Sequence, residues 1–415
     1  MAKVLVVGGG GREHAIVHAL SKSSKVDEIY ALPGNAGIAK LAMCVNIKDT
    51  DVDSIVEFAK AEAIDLVVVG PEASLALGII NKLNEAGIKA FGPTKEAAMI
   101  ESSKRFAKDL MLKYNIPTAR YEVFSNYKEA LESVKISPFP TVIKYDGLAA
   151  GKGVVIANNL EEADIALKDM LLDDKFGHGK VVIEEYLEGP EFSFMCFVDG
   201  KNVYPLEMAQ DHKRAYDNDM GPNTGGMGAY SPLPFITKED YEYALNEIMI
   251  PVSEAMVKEG VPFKGVLYGG LMKTKTGIKV IEFNCRFGDP ETEVVLPRLT
   301  SDIYDAFMAI IDGNKPVLSW EKCYTIGIVL ASKGYPGSYQ KGYIIKNAND
   351  EHIYHMGTKI DDNGNLVTNG GRVLFVVGKG DTLLEANEKA ISIVNQIECD
   401  NLFHRTDIGA KAYRK

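Results

Sequence analysis

The sequence contains little cysteine and no long hydrophobic run. Its five cysteines are widely spaced, with no CxxC pair: Cys44, Cys196, Cys285, Cys323 and Cys399. An odd and scattered set of thiols excludes a disulfide framework and a zinc finger, and is typical of a reducing compartment. No apolar stretch approaches the roughly 20 residues needed to span a bilayer, and the first residues lack a signal-peptide pattern. We therefore expect a cytoplasmic protein that makes no membrane contact.

Basic residues are fewer than acidic residues. The 46 Lys and Arg are outnumbered by 57 Asp and Glu, which gives a net charge of −11. This sign disfavours sequence-independent binding of nucleic acid, although it allows local basic pockets for an anionic metabolite. The hydrophobic fraction of 46% and the charged fraction of 25% are those of an ordinary globular protein. The length of 415 residues predicts two to four domains.

Three different secondary-structure patterns divide the chain into predicted domains. Residues 1–102 alternate short strands such as “KVLVVG” with helical patterns, which predicts a parallel α/β sheet covered on both faces. After a Lys-rich helical connector at 96–117, residues up to 320 favour antiparallel strands joined by Gly-rich turns. Residues 321–415 predict a small α/β domain whose helix begins with a capping box, Thr382 to Glu385. The predicted fold class is therefore α/β and α+β, with domains 1–102, 103–320 and 321–415.

Two local features carry expectations of their own. Residues 211–232, “DHKRAYDNDMGPNTGGMGAYSP”, are polar and Gly-rich without periodicity, which predicts a functional or disordered loop. A helix should begin at Thr237, and Pro251 should kink or break it because proline lacks the N–H that an interior helical position requires.

The opening stretch “VLVVGGGGREHA” resembles the start of a dinucleotide site only in part. Gly8 and Gly10 fit the first half of G-x-G-x-x-G, but Glu13 occupies the third glycine position. The second strand, in “EIYALPGNAG”, ends without the acid that would bind ribose hydroxyls, so NAD binding is disfavoured. A glycine loop at a helix N-terminus still suits a phosphate, and Arg12 favours that interpretation. A tight turn that merely requires glycine stays open as the alternative.

The middle of the chain suggests a nucleotide site. “DGLAAGKGV” is not a Walker A loop, because Asp146 and Gly153 stand where that motif needs Gly and Ser or Thr. We interpret it as a flexible glycine hairpin over a triphosphate, with Lys144 on the preceding strand and Lys152 within the hairpin; solvated lysines are the alternative. Glu184 and Glu191 would suit an adenine amino group and ribose hydroxyls, unless they form a solvated acidic edge.

The most specific stretch is “KVIEFNCRFGDPETE”. Strand alternation predicts Glu282, Asn284 and Arg286 on one face. It points Ile281, Phe283 and Cys285 into a core. A carboxylate and an amide oxygen are hard ligands of the kind Mg²⁺ prefers, and the adjacent arginine could clamp an anion. A salt-bridged strand face is the alternative.

Taken together, these motifs resemble the ATP-grasp superfamily. Within it the whole chain is similar to the family of phosphoribosylamine–glycine ligases, through “GGGGREHA”, “PGNAGIA”, “GPEASLALG”, “KYDGLAAGKGV”, “EEYLEGPEFS”, “GPNTGGMGAYSP” and “EFNCRFGDPETE”. The resemblance implies an N-terminal α/β domain, a two-lobed ATP-grasp domain with a mobile lid at about 118–190, and a small C-terminal domain. It implies ligation of glycine to 5-phosphoribosylamine in purine biosynthesis, through glycyl phosphate, with ATP and Mg²⁺ or Mn²⁺.

The resemblance also assigns residues. For ATP it implies contacts with Lys104, Lys144, Lys152, Glu184, Tyr186, Leu187 and Glu191, and for the metal Glu282 and Asn284. Catalytic roles fall to Arg286 and Lys144. Substrate contacts fall to Gly8, Gly9, Gly10, Gly11, Arg12, Glu13, Asn35, Gly37, Pro71, Glu72, Asp211, Lys213 and Arg286. The strand “LYGGLMK” lacks the further metal-binding acid of many superfamily members, which leaves the number of metal ions open.

Two other functions are compatible with parts of the pattern. A different ATP-grasp ligase or carboxylase would keep the fold and change the acceptor, but the “GPNTGGMGAYSP” segment disfavours it. A nicotinamide-dependent oxidoreductase built on the first domain is disfavoured by the missing ribose acid. We expect small-molecule substrates, no nucleic acid, and a monomer with at most transient contact with neighbouring enzymes of the purine pathway.

Overall fold

The computed structural model describes residues 1–148, 153–173, 175–177 and 179–413. The N-terminal part contains β1 (Ala2–Gly8), α1 (Gly11–Leu20), β2 (Val26–Pro33), β3 (Met43–Cys44), α2 (Val52–Ala61), β4 (Leu66–Val69), α3 (Glu72–Ala76), α4 (Ile79–Glu85) and β5 (Ala90–Phe91). The strands form one parallel sheet in the order β3-β2-β1-β4-β5, which confirms the predicted parallel architecture.

The position of the site follows from this strand order. β1 and β4 are apolar and almost entirely buried, as strands covered on both faces require. The order reverses between β1 and β4, and in such sheets the ligand crevice opens at that point, beyond the carboxyl ends of the strands. Gly8 ends β1 and Gly70 follows β4, so both lie at this crevice.

The second part begins with α5 (Met99–Ser102) and α6 (Lys104–Lys113), so the predicted connector is two helices. Ser103 separates them and caps α6, its hydroxyl accepting from the Phe106 N–H. Then come β6 (Tyr121–Phe124), α7 (Tyr127–Ile136), β7 (Thr141–Tyr145), β8 (Val154–Ala157), α8 (Leu160–Leu171) and β9 (Val181–Glu185). These strands form an antiparallel sheet, β6-β9-β7-β8, with α7 and α8 packed on it over a separate apolar core. We call this unit the lid lobe.

The central sheet lies opposite the lid lobe. The elements from 191 to 311 are β10 (Glu191–Asp199), β11 (Val203–Pro205), β12 (Gln210–Asp211), β13 (Arg214–Tyr216), β14 (Met220–Asn223), β15 (Gly228–Ser231), α9 (Lys238–Tyr243), α10 (Ile250–Lys258), β16 (Lys264–Thr274), β17 (Gly277–Asn284), α11 (Thr292–Val295) and α12 (Ile303–Ile311). β11, β10, β16 and β17 form the antiparallel central sheet, and β16 and β17 are the hairpin that carries the Glu282 row.

The expectation of a loop at 211–232 is wrong, since the segment is ordered into strands, while its functional role stays a prediction. The segment contains the β13–β14 hairpin and the buried strand β15, which joins the C-terminal sheet. The guanidinium of Arg405 holds the hairpin by donating to the Arg214 carbonyl (3.0 Å) and to Asp219 (3.0 Å). Because its support comes from a residue nearly two hundred positions away, the segment shows no periodicity of its own.

The expected break at Pro251 does not occur. Thr237 caps α9 as predicted, accepting from the Asp240 N–H. The chain then passes through a π-helical turn, Ala244–Met249, directly into α10. The wider π turn is a form in which helices absorb local irregularities, and Pro251 falls in the first turn of the next α-helical run, where its missing N–H is tolerated.

The C-terminal elements are β18 (Tyr324–Ser332), β19 (Ile353–His355), β20 (Thr358–Ile360), β21 (Leu366–Thr368), β22 (Arg372–Gly380), α13 (Leu383–Val394), β23 (Leu402–Phe403) and α14 (Ala410–Tyr413). Their main sheet runs β12-β15-β18-β22-β19 and therefore includes two strands from before residue 232. The exact domain limits stay a prediction. Thr382 caps α13 as predicted, accepting from the Glu385 N–H. Within the described residues, no helix has the length and apolar character to cross a membrane.

Candidate active site

The glycine loop between β1 and α1 is held by Glu13. One carboxylate oxygen accepts from the Gly10 N–H (2.7 Å) and the other from Arg12 Nε (2.6 Å). Gly8 has φ of +121°, which favours glycine, and a Cβ there would lie 2.6 Å from the Glu13 side chain. A Cβ at Gly70 would overlap the same carboxylate. Glu13, which breaks the dinucleotide pattern, therefore fills the space beneath the loop, and both of its carboxylate oxygens accept hydrogen bonds from the protein.

Arg12 links this loop to the end of the Glu282 row. Its Nη1 donates to the Phe287 carbonyl (3.3 Å), and the residue is buried. Burial lowers the pKa of Arg12, but the charges of Glu13, Asp289 and Glu72 together outweigh burial, and the pKa is raised. The guanidinium thus lies charged where the N-terminal crevice meets the central sheet.

Two residues of this corner were missed in the sequence. Asp289 Oδ1 lies 2.8 Å from Arg372 Nη2 at the start of β22, and Arg372 Nη1 also donates to the Gly225 carbonyl (2.7 Å). Burial lowers the pKa of Arg372, but the neighbouring acidic groups, Asp289 foremost, together outweigh burial and raise it. The motif “FGDPE” drew attention to the segment that contains Asp289, but nothing in the sequence indicated that Arg372 would be its partner.

The “PGNAG” turn is built around Asn35. Its Nδ2 donates to the carbonyls of Gly9 (2.9 Å) and His355 (2.7 Å), and its Oδ1 accepts from the N–H groups of Gly37 (2.9 Å) and Ile38 (2.9 Å). Asn35 therefore ties the glycine loop to the C-terminal sheet. Gly37 is packed too closely for a side chain, since a Cβ would lie 2.5 Å from the rings of His14 and His355. Pro71 immediately precedes α3, and Glu72 is the first residue of that helix.

Three of the predicted nucleotide residues gather between the lid lobe and the central sheet. Lys144 Nζ lies 3.0 Å from Glu184 Oε1 and donates to the Ile281 carbonyl (3.0 Å). Lys104 Nζ donates to the carbonyls of Glu101 and Gly147, each at 3.2 Å. Lys152 lies outside the described residues. Sequence reasoning missed Lys108, whose Nζ lies 3.0 Å from Glu184 Oε2.

The edge after β9 is more open. Tyr186 is 40% exposed and Leu187 is half-buried, while Glu191 begins β10 and pairs with Lys213 (3.1 Å). The Glu191 carboxylate holds the pKa of Lys213 well above its usual range. Asp211 is the contrasting case, because burial and the nearby Glu291 charge raise its pKa well above the usual range. Its Oδ1 has no hydrogen bond to any described residue.

The Glu282 row lies on β17 next to a β-bulge. The pairing with β16 shifts between Gly270 and Leu271, and Ile281 is the additional residue. The expectation that Ile281 points into the core is therefore wrong, since the bulge leaves it only half-buried. Phe283 is buried as predicted, and Glu282 and Asn284, two residues apart after the bulge, lie on the same face.

Glu282 is surrounded by cations. Burial raises its pKa, but the charges of Lys213, Lys144, Lys104 and Arg286 outweigh burial and lower it. Neither its carboxylate nor the Asn284 amide has a direct hydrogen-bond partner among the described side chains and backbone groups. These two oxygen donors on one face fit a divalent cation, and the ring of lysines fits polyphosphate oxygens.

Arg286 is held between two acids from the N-terminal part. Its Nε lies 3.4 Å from Glu72 Oε2, and its Nη2 lies 3.3 Å from Glu101 Oε1. Glu101 also accepts from the Cys285 N–H (2.8 Å), so it fixes the backbone and the guanidinium together. Burial lowers the pKa of Arg286, but Glu101 and Glu72 outweigh burial and raise it. Glu101 is a further residue that sequence reasoning missed.

Beneath the glycine loop lies a carboxyl group with a testable pH signature. Glu293 is fully buried, and neither carboxyl oxygen has a hydrogen bond to another described residue. Burial, and then the charge of Asp289, raise the pKa of Glu293 well above its usual range. Above about pH 4.3, the usual glutamate pKa, the unfolded chain loses a proton that the folded chain retains, so this group lowers stability as pH rises.

We therefore expect Glu293→Gln to raise the free energy of unfolding relative to the parent chain, by an amount that grows between pH 4.5 and pH 8. Denaturant unfolding across this range measures the difference. Glu254→Gln, at an exposed position on α10, serves as the matched control and should give no such trend. An equal difference at pH 4.5 and pH 8 would contradict the burial of a neutral carboxyl group.

Comparison with known proteins decides between the remaining families. The model of the phosphoribosylglycinamide synthetase N domain matches residues 2–101, that of the ATP-grasp (A) domain matches 102–292, and that of the C domain matches 325–411. The chain belongs to the phosphoribosylglycinamide synthetase family. The resemblance to this family and the predicted fold class are both confirmed.

Curated members of the family match over nearly their whole length. The phosphoribosylamine–glycine ligase of Halalkalibacterium halodurans is 52% identical over 415 residues, covering 99% of this chain and 97% of the relative. That of Listeria monocytogenes is 50% identical over 417 residues, covering 99% of both chains. The crystal structure of the Thermotoga maritima enzyme superimposes with a TM-score of 0.87 at 35% identity, covering 98% of this chain and all of that one.

A more distant neighbour shows the same fold alone. The biotin carboxylase domain of Hydrogenobacter thermophilus 2-oxoglutarate carboxylase, solved with MgADP, ADP and bicarbonate, has a TM-score of 0.75 at 18% identity. It covers 97% of this chain and 91% of its own. The match to the ATP-grasp (A) domain model and the curated relatives show that the chain is an ATP-grasp enzyme of the phosphoribosylglycinamide synthetase family, a group that uses ATP and divalent metal ions.

Proposed function

We propose that this chain ligates glycine to 5-phosphoribosylamine, converting ATP to ADP and phosphate in purine biosynthesis. Family membership along the chain supports the substrates. The observation that carries the chemistry is the row of Glu282, Asn284 and Arg286, which lies among lysines between the lid lobe and the central sheet. It combines metal-binding oxygens with charges that neutralise a transferring phosphoryl group.

The reaction has two steps. A glycine carboxylate oxygen attacks the γ-phosphorus, the bond from that phosphorus to the β,γ-bridging oxygen breaks, and ADP leaves. The ribosylamine nitrogen then attacks the acyl carbon of glycyl phosphate, loses a proton, and the carbon–oxygen bond to phosphate breaks. Neither step needs a protein nucleophile, so the enzyme contributes orientation and charge stabilisation.

The proposed roles follow the positions of the side chains. Lys104 and Lys144, with Lys152 in the glycine hairpin, bind the phosphates of ATP. Glu184 accepts from the adenine amino group beside Tyr186 and Leu187, and Glu191 binds the ribose. Glu282 and Asn284 are the residues that would hold Mg²⁺ or Mn²⁺, which when bound supplies positive charge to the phosphate oxygens. Arg286 stabilises the transferring group.

We assign the ribosylamine to the crevice above β1 and β4. The amides of Gly8–Gly11 at the N-terminus of α1, with Arg12, form the phosphate cradle. Glu13 and Asn35 act by holding this loop, since their polar atoms are already engaged within the protein. Gly37 and Pro71 shape the crevice, while Glu72, Asp211 and Lys213 face the acceptor and glycine.

We further propose a monomeric cytoplasmic enzyme. All five cysteines are free, which is consistent with a reducing compartment. Transient contact with neighbouring enzymes of the pathway stays a prediction that co-purification would test.

Omission of single substrates tests the function. We expect release of ADP to require both glycine and 5-phosphoribosylamine, the latter formed in situ from ribose 5-phosphate and ammonia. A coupled assay for ADP measures the rate with each component left out, and ribose 5-phosphate without ammonia is the control. ADP release that is indifferent to the ribosylamine and to the replacement of glycine by other amino acids would refute the assignment.

A further inference from the structure

A buried cluster of three charges lies where the lid lobe meets the central sheet. Glu184 on β9 contacts two ammonium groups, Lys144 Nζ at 3.0 Å and Lys108 Nζ at 3.0 Å. Lys144 comes from β7 and Lys108 from α6, and each of the three residues is at most 4% exposed. Two buried cations thus share one contacting carboxylate, while the Glu282 charge acts on both without direct contact. Such burial is costly unless further negative charge completes the site.

The two lysines are held differently. Lys108 Nζ donates to Thr118 Oγ1 (2.8 Å), and that hydroxyl donates to the Val280 carbonyl on β17 (2.8 Å). Lys108 is therefore fixed to the central sheet through a chain of two hydrogen bonds. Lys144 also reaches the central sheet, by a single hydrogen bond to the Ile281 carbonyl (3.0 Å), but it lies near the end of β7, just before the sequence segment to which the phosphates of ATP are assigned. Of the two, Lys144 is the cation placed to turn toward a phosphate.

The Oε1 atom of Glu184 can still accept a hydrogen bond. Its Oε1 is buried and forms no hydrogen bond with a described residue, although Lys144 lies within ion-pair distance. Burial, and to a smaller degree the Lys144 charge, lower the pKa of Lys108 to about 8 even though Glu184 raises it. The lowered pKa shows that burial removes the Lys108 ammonium from water to a degree that the Glu184 carboxylate only partly offsets.

We propose that Lys108 is a positioning residue of the nucleotide site, which holds Glu184 as the acceptor for a purine 6-amino group and supplies its counter-charge when Lys144 binds phosphate. The inference rests on the proposed ATP site. It makes Lys108 a determinant of the preference for adenine over 6-oxopurine nucleotides. A 6-oxo group presents an acceptor to the Glu184 carboxylate, and two acceptors repel.

The test is nucleotide binding by calorimetry in the absence of glycine and ribosylamine. We expect the parent chain to bind Mg·ATP more tightly than Mg·ITP, and Lys108→Met to reduce this ratio about tenfold, as for one hydrogen bond to a charged group. In turnover, KM for ATP should rise while kcat at saturating ATP changes much less. Lys113→Met, at an exposed lysine near the end of the same helix, is the matched control and should keep the parent ratio.

A double-mutant cycle separates positioning from a structural effect. In a Glu184→Gln background, Lys108→Met should alter the ATP-to-ITP ratio little further, because its target is gone. If Lys108→Met does not fold, Thr118→Val replaces it, removing only the hydroxyl that holds Lys108, and a smaller fall in the ratio is expected. An unchanged ratio in either folded variant overturns the role of Lys108 alone, as does a parent chain that binds both nucleotides equally. A parent chain that binds neither nucleotide overturns the proposed function itself.

Discussion

Replacing Glu282 with alanine is expected to lower kcat by about 10²–10³, the usual effect of removing one group that stabilises charge in a transition state. Glu282 lies among Lys213, Lys144 and Lys104 and has no direct hydrogen bond or ion pair with another described group. Its removal therefore deprives the metal of a ligand while breaking no hydrogen bond or direct ion pair with the described residues. Steady-state kinetics at saturating Mg²⁺ measure the loss, and the thermal unfolding curve should change little.

Two variants make this test specific. Glu254→Ala removes an exposed acid on α10 and should leave kcat unchanged. Glu282→Gln keeps the shape and loses the charge, so it should be nearly as inactive as Glu282→Ala if the carboxylate binds a cation. A near-normal rate for Glu282→Ala at saturating Mg²⁺ would show that another acid holds the metal.

The local part of this site could be predicted from sequence. Alternation along one strand places Glu282 and Asn284 on one face, and the structure keeps them there. The β-bulge at Ile281 could not be predicted, because it depends on how β17 pairs with β16, and pairing register is a property of two strands. Similarly, the mismatch at Glu13 was visible in the sequence, but its cause is spatial: the side chain fills the gap beneath Gly8 and Gly70.

The residues that were missed all act across long separations in sequence. Lys108 lies in a Lys-rich amphipathic helix, where a lysine is usually solvated. A signal was present, since Lys108 precedes the buried Met111 by three residues and therefore shares its apolar face. Glu101 and Arg372 had no such signal, because their partners Arg286 and Asp289 come from other parts of the chain. Sequence periodicity predicts helices, strands and motifs within one strand. Ion pairs between separate parts of the chain can be identified only once the fold is known.

Replacing Arg286 with methionine is expected to have the other large effect, on both rate and stability. The variant loses the guanidinium assigned to the transferring group, which should lower kcat by about 10²–10³. It also leaves Glu72 and Glu101 without the cation between them, and breaking a buried pair typically costs about 3–5 kcal/mol of folding stability. Kinetics and denaturant unfolding measure the two effects independently.

A second substitution separates these effects. Glu101→Gln in the Arg286→Met background removes one of the two unpaired charges, and the new amide oxygen still accepts from the Cys285 N–H. We expect the double variant to recover much of the lost stability and none of the lost kcat, because stability depends on pairing charges and catalysis depends on the guanidinium itself. If kcat recovered together with stability, Arg286 would only support the fold, and the charge that stabilises the transferring phosphoryl group would have to come from the lysines alone.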